Sequence, residues 1–283
     1  MGHRSGMSDN RQPDLFSGAG FTSDHAEPEI VCPARLDPAA LSDAALIEAL
    51  PGANERDARA LAQEAGRRVL VAAVPALGAL CRRFTGFGRD APVAEQIASL
   101  AALARIGGRE AAELVAWLIA RDVVQGPGLS AAVTAAVALG SRLPAAVVPA
   151  LLQHPNPAVR ADACRLAHPS AGVTAVLIDL LDDLNDSVTA AAACALGRMG
   201  RDEARRRLIR LLANTPSAEV IDAFARIADD DGVILLGRLA NARPDLTAAV
   251  LAALDECDSR HAAVVAAGVR RRLGQDVQSL KPD

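Results

Sequence analysis

From about residue 90 the chain repeats a pattern roughly thirty residues long, and a period of that size limits the fold more than any other feature of the sequence. The segment Ala146-Val147-Val148-Pro149-Ala150-Leu151-Leu152 passes through a His154-Pro155-Asn156-Pro157 turn into Val159-Arg160-Ala161-Asp162-Ala163-Cys164-Arg165-Leu166. One repeat later, Val176-Leu177-Ile178-Asp179-Leu180-Leu181 passes through Asn185-Asp186-Ser187 into Val188 and then Ala193-Cys194-Ala195-Leu196-Gly197. Cys164 and Cys194 take the same slot, two residues before Leu166 and Leu196. A late apolar anchor recurs as Leu103, Leu139, Leu166, Leu196, Phe224 and Leu254, at spacings of 36, 27, 30, 28 and 30. Each unit reads as two short helices whose apolar faces are buried only when neighbouring units stack.

Composition supports helices over strands. Apolar residues make up 51% of the chain but aromatics only 2%, so Ala, Leu and Val build the interior. Ala and Leu are strong helix formers, whereas sheets lean on aromatic and β-branched side chains. Pro144, Pro155, Pro157, Pro169, Pro216 and Pro244 fall between the helical segments, where a missing N–H does no harm. Nearer the N-terminus, Ser42 is the expected N-cap of a helix through Leu46, Ile47 and Leu50 that Pro51-Gly52 ends. A second helix is expected from about Asn54, and the run Val69 to Cys81 reads as a buried helix containing Pro75. The expected organisation is a disordered tail over residues 1–33, a helical cap over 34–89, the repeat array over 90–274 and a C-terminal tail over 275–283.

The unit A-V-V-P-A-L-L, a turn with N-P, then V-R-x-x-A-x-x-L closely resembles the HEAT-like repeat of the phycobilisome-lyase type. That resemblance covers residues 144–200 most closely and weakens before residue 90. It implies an all-α, right-handed α-solenoid of about six stacked helical hairpins. It also implies a surface for binding other macromolecules, with the second helix of each pair lining a concave face. Only Arg160 keeps the arginine of the V-R pair, since Val188 is followed by Thr189, so an incomplete ladder of polar contacts between repeats is expected.

The candidates for chemistry are few. A net charge of −4 and a pI near 5.8 offer no global attraction to nucleic acid or to an anionic membrane. Five dispersed cysteines form no C-x-x-C pair, which argues against a zinc site or a disulfide framework. The first twenty residues lack an apolar signal region, and Val123 to Ser141, broken by Gln125-Gly126-Pro127-Gly128, makes a poor membrane span. A soluble cytoplasmic protein is therefore expected. HEAT-like hydroxylases carry His-Glu iron-ligand pairs, and none of His3, His25, His154, His168 or His261 is followed by Glu. HEAT-like DNA glycosylases use aromatic and acidic residues around a basic groove, and here Trp117, flanked by Val115, Ala116, Leu118 and Ile119, reads as a core anchor. Lyase members attach bilins, but the chain shows no separate motif for that. Cys164 and Cys194 read as packing residues. The expectation is a protein with no catalytic residue, cofactor or metal.

Two polar or charged groups remain. Arg205, Arg206, Arg207 and Arg210 lie on a helix expected from Asp202 to Ala213, and read as a solvated face or, alternatively, as phosphate contacts. Gln12-Pro13-Asp14-Leu15-Phe16 resembles the Q-x-x-L-F peptide by which bacterial replication and repair proteins dock on the DNA sliding clamp. In such a peptide Leu15 and Phe16 fill an apolar pocket and Gln12 supplies an orienting amide. The sequence thus points to a protein-binding scaffold or adaptor. The alternatives are a clamp-tethered replication or repair accessory protein and a HEAT-like enzyme.

Overall fold

Short helices end where their caps and prolines place the ends, and the computed structural model, which describes residues 36–257 and 259–279, shows how they pair. Fifteen α-helices and no strands occur among the described residues. The first helices are α1 (Asp43–Ala49), α2 (Glu55–Arg67), α3 (Val74–Arg83), α4 (Ala94–Ile106), α5 (Gly108–Ala120) and α6 (Pro127–Ala138). Then come α7 (Val148–Leu152), α8 (Pro157–Leu166), α9 (Ala171–Asp179), α10 (Asp186–Arg198) and α11 (Arg205–Asn214). The last four are α12 (Ala218–Ala225), α13 (Asp230–Ala242), α14 (Thr247–Glu256) and α15 (Arg260–Ser279).

Capping sets the boundaries. Ser42 Oγ accepts the Ala45 N–H, and Asn54 Oδ1 accepts the Asp57 N–H, so α1 and α2 begin where the sequence places them. Asn156 and Asn185 fill one structural slot, accepting the N–H of Ala158 and of Ser187 at the starts of α8 and α10. The Val69 to Cys81 run departs from its expected single helix. Val69 has φ of 55° and stands in the turn after α2, Val71–Ala73 form a short 3-10 segment, and α3 starts only at Val74. Pro75 then sits in the first helical turn, which its ring tolerates, and the exposed Val69 and Val71 are not core residues.

Consecutive helices pair as hairpins, and the second helices stack into one row: α2 on α4, α4 on α6, α6 on α8, α8 on α10, α10 on α12 and α12 on α14. This is an all-α solenoid of HEAT-like hairpins. Small residues allow the close approach in the row. A Cβ at Gly66 would lie 2.9 Å from the Ala102 backbone, and one at Gly197 would lie 2.5 Å from the Ala223 carbonyl oxygen, so each glycine is a contact point between stacked helices. First helices meet less fully, as α3 with α5 and α7 with α9.

The core runs along the interior of the hairpins. Leu103, Leu166, Leu196, Phe224 and Leu254 are all buried, each contributing about 1.5–3 kcal/mol of apolar transfer. Leu139 differs. It is the C-cap of α6 and only half-buried, while Ala136, thirty residues before Leu166, is fully buried. Helix α6 fills its place in the stack with Ala132, Val133, Ala135 and Ala136. No described helix is long and apolar enough to cross a membrane. The expected tail over residues 1–33, with Gln12, Leu15 and Phe16, lies outside the described residues, as do the last four residues.

Candidate functional site

The row of second helices runs from α2 to α14, and its two halves differ in chemistry. Between α4 and α6 lies a groove of 460 Å³ lined by Ile97, Ala101, Ala104, Ala131, Thr134 and Ala138. Short side chains at these positions leave room that a longer residue would fill. Thr134 closes the groove on one side, donating its hydroxyl to Asp162 Oδ2 of α8 at 2.6 Å.

From that bond a charged ladder continues along the row. Asp162 accepts from Arg165 at 2.9 Å, and Arg165 reaches Glu219 of α12 at 3.5 Å. Arg198 of α10 donates to the same Glu219 oxygen at 3.2 Å. Arg226, the C-cap of α12, then bridges Asp222 at 3.5 Å and Glu256 of α14 at 3.0 Å. Arg270 of α15 pairs with Asp255. These groups are partly exposed, so each pair adds at most about 1 kcal/mol, and the ladder sets charge pattern more than stability. Where α10, α12 and α14 end, a cavity of 490 Å³ opens with Ala225, Ala253 and Cys257 among its apolar walls and Arg198, Arg226 and Glu256 at its rim.

A second stitch joins the turns inside the hairpins. Arg160 Nε and Nη2 fork onto the two Asp183 oxygens at 2.9 Å each, while its Nη1 donates to the His154 and Pro155 carbonyls. The guanidinium holds the Asp183 carboxyl below its ordinary range. His154 Nδ1 accepts the Asn156 N–H at 3.1 Å, which gives that histidine a turn role.

The thiols are poor nucleophiles. Burial pushes Cys81, Cys164 and Cys194 up to about 12, so the thiolate is scarce at neutral pH. Cys164 and Cys194 are packed inside α8 and α10, in agreement with their matching slots.

The arginine group divides. Arg205 pairs with Asp202 at 3.1 Å and Asp229 at 3.0 Å, and donates to the Ile227 carbonyl. Arg207 donates to the Leu181 carbonyl at 2.6 Å. Arg206 and Arg210 are exposed and pair with no described carboxylate. Arg205 and Arg207 are thus already engaged, while Arg206 and Arg210 stand exposed. Trp117 also departs from expectation. It is 41% exposed on α5, with the Arg82 guanidinium carbon 5.8 Å from the ring centroid.

The ladder residues escaped sequence reasoning, although a signal for them exists. Arg198, Arg226 and Glu256 each stand two residues after a late anchor, at Leu196, Phe224 and Leu254. A charge recurring in that slot marks the solvent side of each second helix.

Among known families, the model described as HEAT repeats matches residues 144–228. No curated protein matches the chain. The crystal structure of an engineered protein from the Northeast Structural Genomics Consortium is 19% identical, covering 81% of this chain and 95% of that one. Its TM-score of 0.30 is too low to bear on the fold. Residues 144–228, which hold α7 to α12 and most of the ladder, are thus the part of this solenoid that matches HEAT repeats.

Proposed function

We propose that this chain is a non-enzymatic, protein-binding scaffold or adaptor that holds its partner along the row of second helices. One observation carries this reading: the row sets an apolar groove between α4 and α6 directly beside a ladder of alternating arginines and carboxylates. An apolar slot supplies desolvation energy and a charge ladder fixes register, which together suit a partner protein better than a small substrate. The cavity at the ends of α10, α12 and α14 is open and its thiol, Cys257, is raised by burial, so the groups present favour docking over covalent chemistry.

A second reading rests on Gln12-Pro13-Asp14-Leu15-Phe16, whose likeness to a sliding-clamp peptide makes the chain a clamp-tethered accessory of replication or repair. One purification from the native cell separates the two. The full chain should retain a partner that is lost from the charge-reversed Arg198→Glu/Arg226→Glu variant and kept by Leu15→Ala/Phe16→Ala. Loss of the sliding clamp from the second variant alone supports the tether. An unchanged set of co-purifying proteins from the Arg198→Glu/Arg226→Glu variant rejects the row as the docking surface.

A further inference from the structure

The chain uses aromatic side chains sparingly, and two of them, Phe87 and Trp117, are exposed, one just after α3 and the other on α5. Among the described residues the aromatics are Phe84, Phe87, Trp117 and Phe224. Phe224 is buried in the core, whereas Phe87 is 63% and Trp117 41% exposed. The other three stand at the C-terminal ends of α3 and α5, in the row of first helices and apart from the ladder. Phe87 meets Phe84 edge to face at 6.4 Å, and the Arg83 guanidinium carbon lies 5.5 Å from the Phe84 ring centroid.

The backbone brings these groups close by design of small residues. A Cβ at Gly78 would stand 2.9 Å from Leu114 Cδ2 and 3.3 Å from Arg82 Nη1. Bare backbone there lets α3 and α5 approach until Arg82 lies over the indole of Trp117, one turn beyond Leu114. Arg121 follows Trp117 by another turn, its N–H on the Trp117 carbonyl.

Charge then narrows the occupant. Arg165, Arg198, Arg205 and Arg226 all have carboxylate partners, but Arg82 and Arg121 make no ion pair with a described residue, and Arg83 gives its Nη1 to the Ala53 carbonyl. An exposed indole under one uncompensated guanidinium, with a second uncompensated arginine one helical turn on, has the composition of an interface hot spot. Glu110 and Glu113 lie earlier on α5, and Asp122 and Asp90 lie in the adjoining turns. Carboxylates so near in the chain disfavour a long polyanion, while the two free guanidinium groups match the charge of a short acidic segment.

We propose that the face formed by Arg82, Trp117 and Arg121 docks a short acidic peptide segment of a partner protein, with an aromatic residue of that segment packed against Trp117. Because Trp117 is the sole tryptophan, its emission reports directly on occupancy. The full chain is titrated with the synthetic peptide acetyl-Asp-Glu-Asp-Phe-Asp-Glu-Asp-amide and with its uncharged Asn/Gln counterpart. The acidic peptide should give a saturable change in emission, weakened about tenfold or more by Arg82→Gln/Arg121→Gln and by raising salt from about 50 to about 500 mM. All these positions are on the surface, so circular dichroism of the variant should match the parent. The proposal is overturned by no saturable change, by equal binding of both peptides, or by binding that survives the double substitution. Tighter binding of a twelve-nucleotide oligothymidylate than of the acidic peptide overturns it in favour of single-stranded nucleic acid.

Discussion

The first six helices and the next eight solve one problem, fastening hairpin to hairpin, by different chemistry. From α1 to α6 the fasteners mostly reach backbone carbonyls, with Arg68 also pairing with Asp43 and Glu64. Arg68 donates to Leu41, Pro38 and Ala39, Arg83 donates to Ala53, and the buried Gln96 amide donates to Cys81, Phe84 and Val123. From α7 to α14 they mostly reach carboxylates, as Arg160 to Asp183, Arg198 to Glu219, Arg205 to Asp229 and Arg226 to Glu256. A carbonyl is offered by every residue, so that kind of fastening demands no periodic partner in the sequence. A carboxylate has to recur in register. The contrast explains why the repeat is plain between residues 144 and 228 and faint before residue 90.

The sharpest way to break the second half is Arg160→Ala. It leaves Asp183, whose side chain is 9% exposed, without its fork and strips two carbonyls of a donor. Unpairing a largely covered charge should cost about 3 kcal/mol, read as a lowered midpoint in urea denaturation. Adding Asp183→Ala should restore part of that loss. If Arg160→Ala is neutral, carboxylate fastening contributes nothing to the stack. In the first half the matching change is Gln96→Leu, which removes the one side chain joining the ends of α3 and α5 to α4. That leaves the Val123 carbonyl without a described donor, while the Cys81 and Phe84 carbonyls keep the N–H groups of Phe84 and Phe87, so the change should cost about 1 kcal/mol, equally at low and high salt. Strong salt dependence would show that the two halves are not fastened differently.

Much of this architecture was legible because the core is built from small residues at a fixed period. Leu103, Leu166, Leu196, Phe224 and Leu254 mark it directly, and Ser42, Asn54, Asn156 and Asn185 mark helix starts through their side-chain chemistry. Leu139 misleads because α6 ends before it, at a Gly140 turn with positive φ, and alanines fill the slot instead. Trp117 misleads because five consecutive residues of a helix cannot all face inward. Val115, Ala116, Leu118 and Ile119 take the buried side, which turns residue 117 outward. The ladder needed the stack itself, since Arg165 and Glu219 lie on different hairpins and only the packing of α8, α10 and α12 brings them together.

The subtlest effect is one of pH, and in the first half it centres on Glu64. This carboxylate takes hydrogen bonds from Arg67 and Arg68 at 2.6 to 2.7 Å, and Arg68 carries the same cluster onward to Asp43 at 2.8 Å. The bonds from Arg67, then from Arg68, bring Glu64 down from 4.5 to about 2. A folded-state value below the unfolded one stabilises the fold above the unfolded pKa and ceases to do so as protons bind the native carboxylate. Stability supplied by Glu64 should therefore be complete at neutral pH and fade as pH falls from 4.5 toward about 2. Glu64→Gln should be less stable than the parent at pH 7, and the two should converge near the lower end of that window. Parallel stability curves for parent and variant across the whole range would show that the α1–α2 cluster is held by its carbonyl acceptors alone, with the carboxylate a bystander.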